Sequence, residues 1–168
     1  MIRLSPAGSA QIPLIQEIAQ KTWPSTFGAI LSREQLAYMM KRMYSTASLS
    51  QQMQDGHRFL IAYQAGKIQG FTSFEVNYRE TDHLKIHKLY LLPAAQGKGT
   101  GKKILIDLER RAYKASQKAL ELNVNKYNRS AIQFYFKMGF EIVREEVIPI
   151  GEGYVMDDYC LEKELHTP

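Results

Sequence analysis

Cysteine occurs once in the 168 residues, at Cys160, which excludes an intrachain disulfide and any zinc site built on cysteines. The four histidines, His57, His83, His87 and His166, show no metal-ligand spacing, so no bound metal is expected. No stretch approaches the roughly 20 consecutive apolar residues of a membrane helix. The opening Met1-Ile2-Arg3-Leu4-Ser5-Pro6 lacks the apolar block of a secretory signal, and a cytoplasmic protein with no membrane partner is expected. Runs of five or six basic residues are also missing, as is any aromatic ladder among the lysines. The net charge of +5 therefore reads as a solvated surface, and nucleic acid is not an expected partner. Without an internal repeat, a low-complexity tract or a Pro/Gly-rich linker, the chain reads as a single domain over residues 1–168.

What is present is an ordinary core. Hydrophobic residues make up 45% and charged residues 23%, a balance that argues against disorder. Residues 2–7 suit a short strand. Ile12, Leu14, Ile15, Ile18, Ala19 and Trp23 recur at helical spacing, with Pro13 confined to the first turn. Ser32 and Gln35 resemble a capping box that opens a second helix, with Leu36, Met39, Met40 and Met43 inward. A third short helix fits residues 47–54. From Phe59 the period changes to that of strands, over 59–63, 68–78 and 84–92. Short links join them, Ala65-Gly66-Lys67 and then Arg79–Asp82, which implies antiparallel pairing because parallel neighbours need a crossover. A glycine-rich loop precedes a helix over 100–117, with Ile104, Leu105, Leu108, Ala112 and Ala115 inward. A strand at 119–125, a helix opened by Asn128 and closed by Gly139, and strands near 140–148 and 154–164 complete the order. The pattern is that of an α+β fold, with a mixed, mostly antiparallel sheet of about six to seven strands and about four helices.

The loop Gln96-Gly97-Lys98-Gly99-Thr100-Gly101 lies between a strand and a helix. Glycines let a backbone approach a ligand closely, and the first N–H groups of a helix attract phosphate. Lys98, Lys102 and Lys103 add mobile positive charge beside it, so pyrophosphate binding is the expected use. The spacing fits neither the Walker pattern nor the G-x-G-x-x-G dinucleotide fingerprint. A second block runs from Asn125 to Phe140, NKYNRSAIQFYFKMGF.

Together the two blocks resemble the GNAT superfamily of N-acetyltransferases. Gln96 to Gly101 matches the Q/R-x-x-G-x-G/A loop of that family. Asn128, Ala131, Phe134, Tyr135, Gly139 and Phe140 match its N-x-x-A-x-x-F-Y-x-x-x-G-F segment. The resemblance covers roughly residues 58–164, and the first 57 residues fit by layout alone. It implies the GNAT fold and acetyl-CoA as cosubstrate. By that resemblance the backbone of Gln96, Gly97, Lys98, Gly99, Thr100 and Gly101, with Lys102 beside it, holds the coenzyme pyrophosphate. The strand carrying Leu89, Tyr90 and Leu91 pairs with the pantetheine arm, Asn128 contacts the coenzyme, and Tyr135 protonates the departing thiolate.

A primary amine is protonated at neutral pH, so acyl transfer needs a base, a donor for the tetrahedral oxyanion and an acid for the thiolate. Many members carry a glutamate as that base where this chain has Lys85. His87 lies two residues on, and strand periodicity puts Lys85, His87, Leu89 and Leu91 on one face. His87 is therefore the candidate base, with an ordered water relay as its rival. The expected function is acetyl transfer from acetyl-CoA to a primary amine of a small molecule or peptide; the alternative is a non-catalytic acyl-CoA sensor. The motif spacing is also similar to that of polyamine and diamine acetyltransferases, for which Glu75, Asp82, Asp157 and Asp158 offer negative charge. A second copy of the chain stays open as a partner in a homodimer.

Overall fold

The computed structural model describes residues 1–166. Seven strands and five helices follow the chain: β1 (Ile2–Ala7), α1 (Ile12–Phe27), α2 (Arg33–Tyr44), α3 (Thr46–Gln54), β2 (Arg58–Gln64), β3 (Lys67–Glu75), β4 (His83–Leu91), α4 (Thr100–Lys114), β5 (Ala119–Asn125), α5 (Arg129–Lys137), β6 (Glu141–Gly151) and β7 (Tyr154–Glu164). Hydrogen bonding orders the strands β1-β2-β3-β4-β5-β7-β6. The result is a mixed α+β fold, a mostly antiparallel sheet with helices, as the element order implied.

Two compact units form, and each is assembled from separate stretches of chain: Met1–Glu75 with His87–Asp107, and Val76–Ile86 with the chain from Leu108 onward. In the first unit β1 and β2 pair antiparallel, as do β2 and β3, with a bulge between Ala62 and Tyr63. The β2–β3 turn uses Ala65 and Gly66, both at positive φ (49° and 74°), the conformation that matches the twist of a two-residue hairpin. Leu92 N–H donates to Gln69 C=O, and Thr72 Oγ1 donates to Lys88 C=O at 2.6 Å. The opposite run of those numbers marks β3 and β4 as antiparallel. Gly70 permits this approach: a Cβ there would meet Tyr90 O at 2.1 Å and Leu91 Cα at 2.9 Å. Trp23, Ile15, Ile18, Leu49, Ile61, Phe71 and Phe74 form the fully buried core of this unit. Ser32 Oγ accepts from Gln35 N–H and Ser45 Oγ accepts from Ser48 N–H, capping α2 and α3.

Two boundaries move from their sequence positions for stated reasons. The strand expected over 68–78 stops at Glu75, because Asn77, Arg79 and Glu80 all take positive φ and break the pleat. The helix expected to reach residue 117 stops at Lys114, because Ser116 takes φ +56° and ends it; Ala115, expected inward, is exposed.

In the second unit β4 and β5 run parallel, with His83↔Ala119 through Ile86↔Leu122 in register. Strand β7 pairs antiparallel with both β5 and β6, so the last strand of the chain lies between them. A buried charge network crosses these strands. Lys85 Nζ donates to Glu121 Oε1 at 2.9 Å and to Asn123 Oδ1 at 2.5 Å. Arg144 Nη2 donates to the same Glu121 oxygen at 2.9 Å, and His83 Nδ1 lies 3.2 Å from Glu121 Oε2. Burial pushes the Glu121 carboxyl up, but the hydrogen bonds and charges of Lys85, with those from His83 and Arg144, outweigh it and bring the group to about 2.

Glu121→Gln follows as a test of that network. A carboxylate held below its unfolded value stabilises the fold above that value, and the benefit fades as pH falls through about 4.5 toward about 2. Removing it leaves buried Lys85 without its counter-charge, and a loss of about 3–5 kcal/mol is expected at pH 7. Denaturant unfolding between pH 2 and 7 checks this: the variant is expected to be the less stable at pH 7, with the gap narrowing on acidification.

Candidate functional site

The glycine-rich loop is built in the first unit, directly after β4. Pro93–Ala95 make one 3-10 turn, and Gln96 Nε2 donates back to Leu91 C=O at 3.2 Å. Gly97 and Gly99 then take φ of +70° and +77°, a conformation that other residues rarely adopt, and no atom lies within 4 Å of where a Cβ would stand on either. Helix α4 opens at Thr100, with Lys103 N–H donating to Gly99 C=O. Lys98, Lys102 and Lys103 are exposed, so their ammonium groups project into solvent beside the helix start. Gly101 belongs to the first turn of α4 and takes no positive φ. Thr100 is buried at 2% exposure, and its Oγ1 has no hydrogen-bond partner among the described residues. Buried hydroxyls are normally paired. An unpaired one beside a left-handed glycine and the unused N–H groups of a helix start suits a phosphate ligand.

Leu89, Tyr90 and Leu91 close β4 and are half-buried. The Tyr90 ring packs with Trp23, Phe71 and Phe27 at centroid distances of 5.8, 5.8 and 6.3 Å. That ring packs among the aromatic side chains of the first unit.

His87, also on β4, does not stand alone. Its Nε2 lies 3.0 Å from Glu75 Oε2, at the end of β3. Its ring stacks on His57 with centroids 3.8 Å apart and planes 6° from parallel. His57 immediately precedes β2; continuing the register Arg58↔Phe74 by one step sets it opposite Glu75. Burial, and then the charge of Lys88, lower the His57 imidazole to about 4. Burial and then Asp55 raise the Glu75 carboxyl above its usual range. Lys88 itself is buried, donates to Gln52 Oε1 at 2.6 Å, and is lowered by burial to about 8.

The sequence singled out His87 and Glu75 for different reasons and missed His57 and Lys88. Nothing local signals the pairing of His57, Glu75 and His87, because they come from three chain segments and meet only through the strand registers. The absence of metal-ligand spacing among the histidines is therefore a property of the linear sequence: in space, one ring nitrogen from each of His57 and His87 and a Glu75 carboxylate oxygen lie within 4.8 Å of one another.

The second motif lies in the second unit. Asn128 caps α5, its Oδ1 accepting from Ala131 N–H at 3.4 Å. Tyr135 is buried at 8% exposure between Phe134 and Phe140, with ring centroids 5.2 and 5.5 Å away, and burial holds its phenol well above its usual value. The group is thus a protonated phenol across the working pH range. Gly139, at φ +91°, ends the helix and turns the chain into β6. The carboxylates that the sequence offered to a polycation are largely engaged already. Asp82 pairs with Lys118 at 2.6 Å, Asp157 with Lys126 at 3.0 Å, and Glu75 with His87. Asp158 is buried, raised by that burial to about 6, and hydrogen-bonded by Asn123.

Comparison with known proteins bears on both motifs. The acetyltransferase (GNAT) domain family matches residues 29–152. An uncharacterized N-acetyltransferase of Lactobacillus delbrueckii subsp. lactis is 24% identical, covering 98% of both chains. Spermidine N(1)-acetyltransferase of Thermoplasma acidophilum is 26% identical, over 84% of this chain and 86% of that protein. Among solved structures, the PaiA N-acetyltransferase of Thermoplasma acidophilum in complex with coenzyme A superposes with a TM-score of 0.81 at 23% identity, covering 98% of this chain and 99% of that one. With the family match spanning both the glycine-rich loop and the Asn128–Phe140 segment, the chain belongs to the GNAT acetyltransferase family.

Proposed function

We propose that this protein transfers the acetyl group of acetyl-CoA directly to a primary amine of a small molecule or peptide. The observation that carries the reading is the loop at residues 96–101. Its two left-handed glycines, the unpaired Thr100 hydroxyl and the start of α4 form a cradle for phosphate oxygens, as the coenzyme's pyrophosphate requires. The coenzyme A complex of a structural neighbour supports the same use.

In the transfer, the amine nitrogen bonds to the thioester carbonyl carbon, the tetrahedral intermediate collapses, and the C–S bond breaks to release the coenzyme as a thiol. The amine loses a proton and the sulfur gains one. His87 serves as the acceptor of the first. The Glu75 carboxylate lies 3.0 Å from His87 Nε2 and stabilises the imidazolium as it forms. Tyr135 supplies the second proton: burial keeps its phenol protonated, and it donates as the C–S bond breaks, the phenolate then regaining a proton from solvent. Lys85 is no candidate for base, because its ammonium is committed to Glu121 and Asn123. Among amines, a polyamine has the support of the spermidine-acetylating relative. The direct test is an amine panel, spermidine included, assayed with acetyl-CoA for thiol release and acetylated product; coenzyme binding without turnover on any amine would sink the transferase reading.

Three variants probe the parts. Gly99→Val is expected to weaken coenzyme A binding at least about tenfold, roughly 1.4 kcal/mol, because a β-branched residue resists φ +77° and would turn the loop N–H groups away. Calorimetry on the folded variant checks it. Tyr135→Phe is expected to lower kcat by at least about tenfold with coenzyme affinity nearly unchanged, since it removes only a proton donor. His87→Ala is expected to lower kcat/KM roughly 10²-fold while coenzyme affinity holds; near-normal turnover would reassign the proton to a water chain.

A further inference from the structure

Two histidines with carboxylate neighbours are left without a role in acyl transfer. In the second unit, His83 joins a network in which Lys85 and Arg144 already bring two cations to Glu121, and its place there is structural. His57, in the first unit, is held differently. Its side chain is 17% exposed, and its buried Nδ1 has no hydrogen-bond partner among the described residues. Its Nε2 lies 3.7 Å from Glu75 Oε2, beyond hydrogen-bond length. The close contact that His57 does make is a face-to-face stack on the His87 ring, with centroids 3.8 Å apart and planes 6° from parallel. Burying a polar ring without a hydrogen bond is unfavourable, so the stack is where the use of His57 has to be sought.

A base that takes a proton must present its nitrogen at a fixed place, and an imidazole reaches that place through two torsions, χ1 and χ2. The second is broad in histidine, with no sharp staggered well. Glu75 Oε2 meets His87 at Nε2, 3.0 Å away. That nitrogen lies close to the Cβ–Cγ axis about which χ2 turns, so a contact there restrains χ2 only weakly. A flat ring laid parallel on the imidazole restrains it directly, because any turn drives one edge into the neighbouring face. Strand pairing supplies both contacts: the β2–β3 register sets His57 opposite Glu75, and Glu75 reaches across to His87 on β4. The charges around His57 suit the same use. Burial, and then Lys88, lower its imidazole to about 4 against the opposing influence of Asp55. Near neutral pH it is uncharged, so no second cation lies against the imidazolium that forms on His87.

We infer that His57 is a positioning residue: its ring, stacked on His87, holds the orientation in which His87 takes the amine's proton. The role rests on His87 being the base proposed above. His57 acts through His87 and exchanges no proton itself. Its flat face is the working part and its nitrogens are not, in keeping with the unpaired Nδ1. A phenyl ring at position 57 therefore keeps the function, alanine removes it, and leucine fills the space without supplying a plane.

The experiment has two arms, both on the full chain. The first needs no substrate and follows the His87 ring protons by NMR. They are expected to be displaced by the neighbouring ring in the wild type and in His57→Phe, and to lose that displacement in His57→Ala and His57→Leu. The second measures kcat and KM with acetyl-CoA and spermidine, or with the best acceptor of the amine panel. His57→Ala and His57→Leu are each expected to lower kcat at least about tenfold with KM for acetyl-CoA nearly unchanged, and His57→Phe to recover it to within about threefold of the wild type. The double variant His57→Ala/His87→Ala is expected to be no slower than His87→Ala alone, since a residue acting through His87 has nothing left to act on. Should the alanine variant fail to fold, the leucine variant takes its place in both arms. Wild-type turnover in His57→Leu, losses that multiply in the double variant, or an unmoved His87 signal in His57→Ala overturns the positioning role. Near-normal turnover in His87→Ala sinks the base and the positioning role together; an impaired His87→Ala beside a fully active His57→Ala leaves the base standing and overturns the positioning alone.

Discussion

A parallel strand pair cannot be closed by a tight turn, and that constraint shapes the functional half of this protein. Strands β4 and β5 pair in the same direction, so the chain leaving β4 has to return through a crossover before β5 begins. The crossover is the glycine-rich loop followed by α4. A helix start is thereby fixed in sequence just beyond the carboxyl end of a strand, with left-handed glycines leading into it. The other crossover among the described residues runs from β5 through α5 to β6, and Lys126-Tyr127-Asn128 before that helix contains no glycine. The loop proposed to meet phosphate is thus a by-product of strand direction, with exposed lysines beside it.

Buried charge is managed in two ways. Across β4, β5 and β6, Glu121 is surrounded by Lys85, Arg144 and His83, and every member of the network has a partner. Such a set specifies the register of the strands that carry it, since a slip by one residue would strand a charge in the core. The buried Cys160 thiol, raised by burial to about 12, also points at Glu121 and stays protonated, an inert part of the same packing. Around β3 and β4 the arrangement is sparer. Lys88 is buried with an amide oxygen as its hydrogen-bond acceptor and with the Tyr44 and Phe59 rings beside it. His57 has a stacked ring but no hydrogen bond to its buried nitrogen. This incomplete satisfaction contrasts with the network around Glu121, in which every member has a partner.

Replacing the usual strand glutamate by Lys85 has a clear structural meaning in this setting. The lysine is the counter-ion of Glu121, and moving a carboxylate to position 85 would set two buried acids side by side. The proposed base, His87, instead stands beside Glu75 in the meander of β2, β3 and β4.

Elements and motifs were legible in the sequence wherever the signal is local. Helical spacing marked α1 and α2, serine caps marked where α2 begins, and hydrophobic alternation with short polar links announced the meander. The glycine loop and the Asn128–Phe140 segment carried the family resemblance because backbone conformation and helix capping depend on residues a few positions apart. Ends of elements were misjudged at Glu75 and Lys114, where non-glycine residues take positive φ and no residue type announces it. What the sequence by itself determined, then, is the fold class and the glycine-rich loop between β4 and α4. Tertiary structure alone decided that Lys85 belongs to Glu121, that His57 stacks on His87 over one carboxylate, and that most of the acidic residues offered to a polycation are already paired. The physical reason is range: turns, caps and glycine torsions are set by neighbours along the chain, whereas the partner of a charge or an imidazole is set by strand register, which joins residues tens of positions apart.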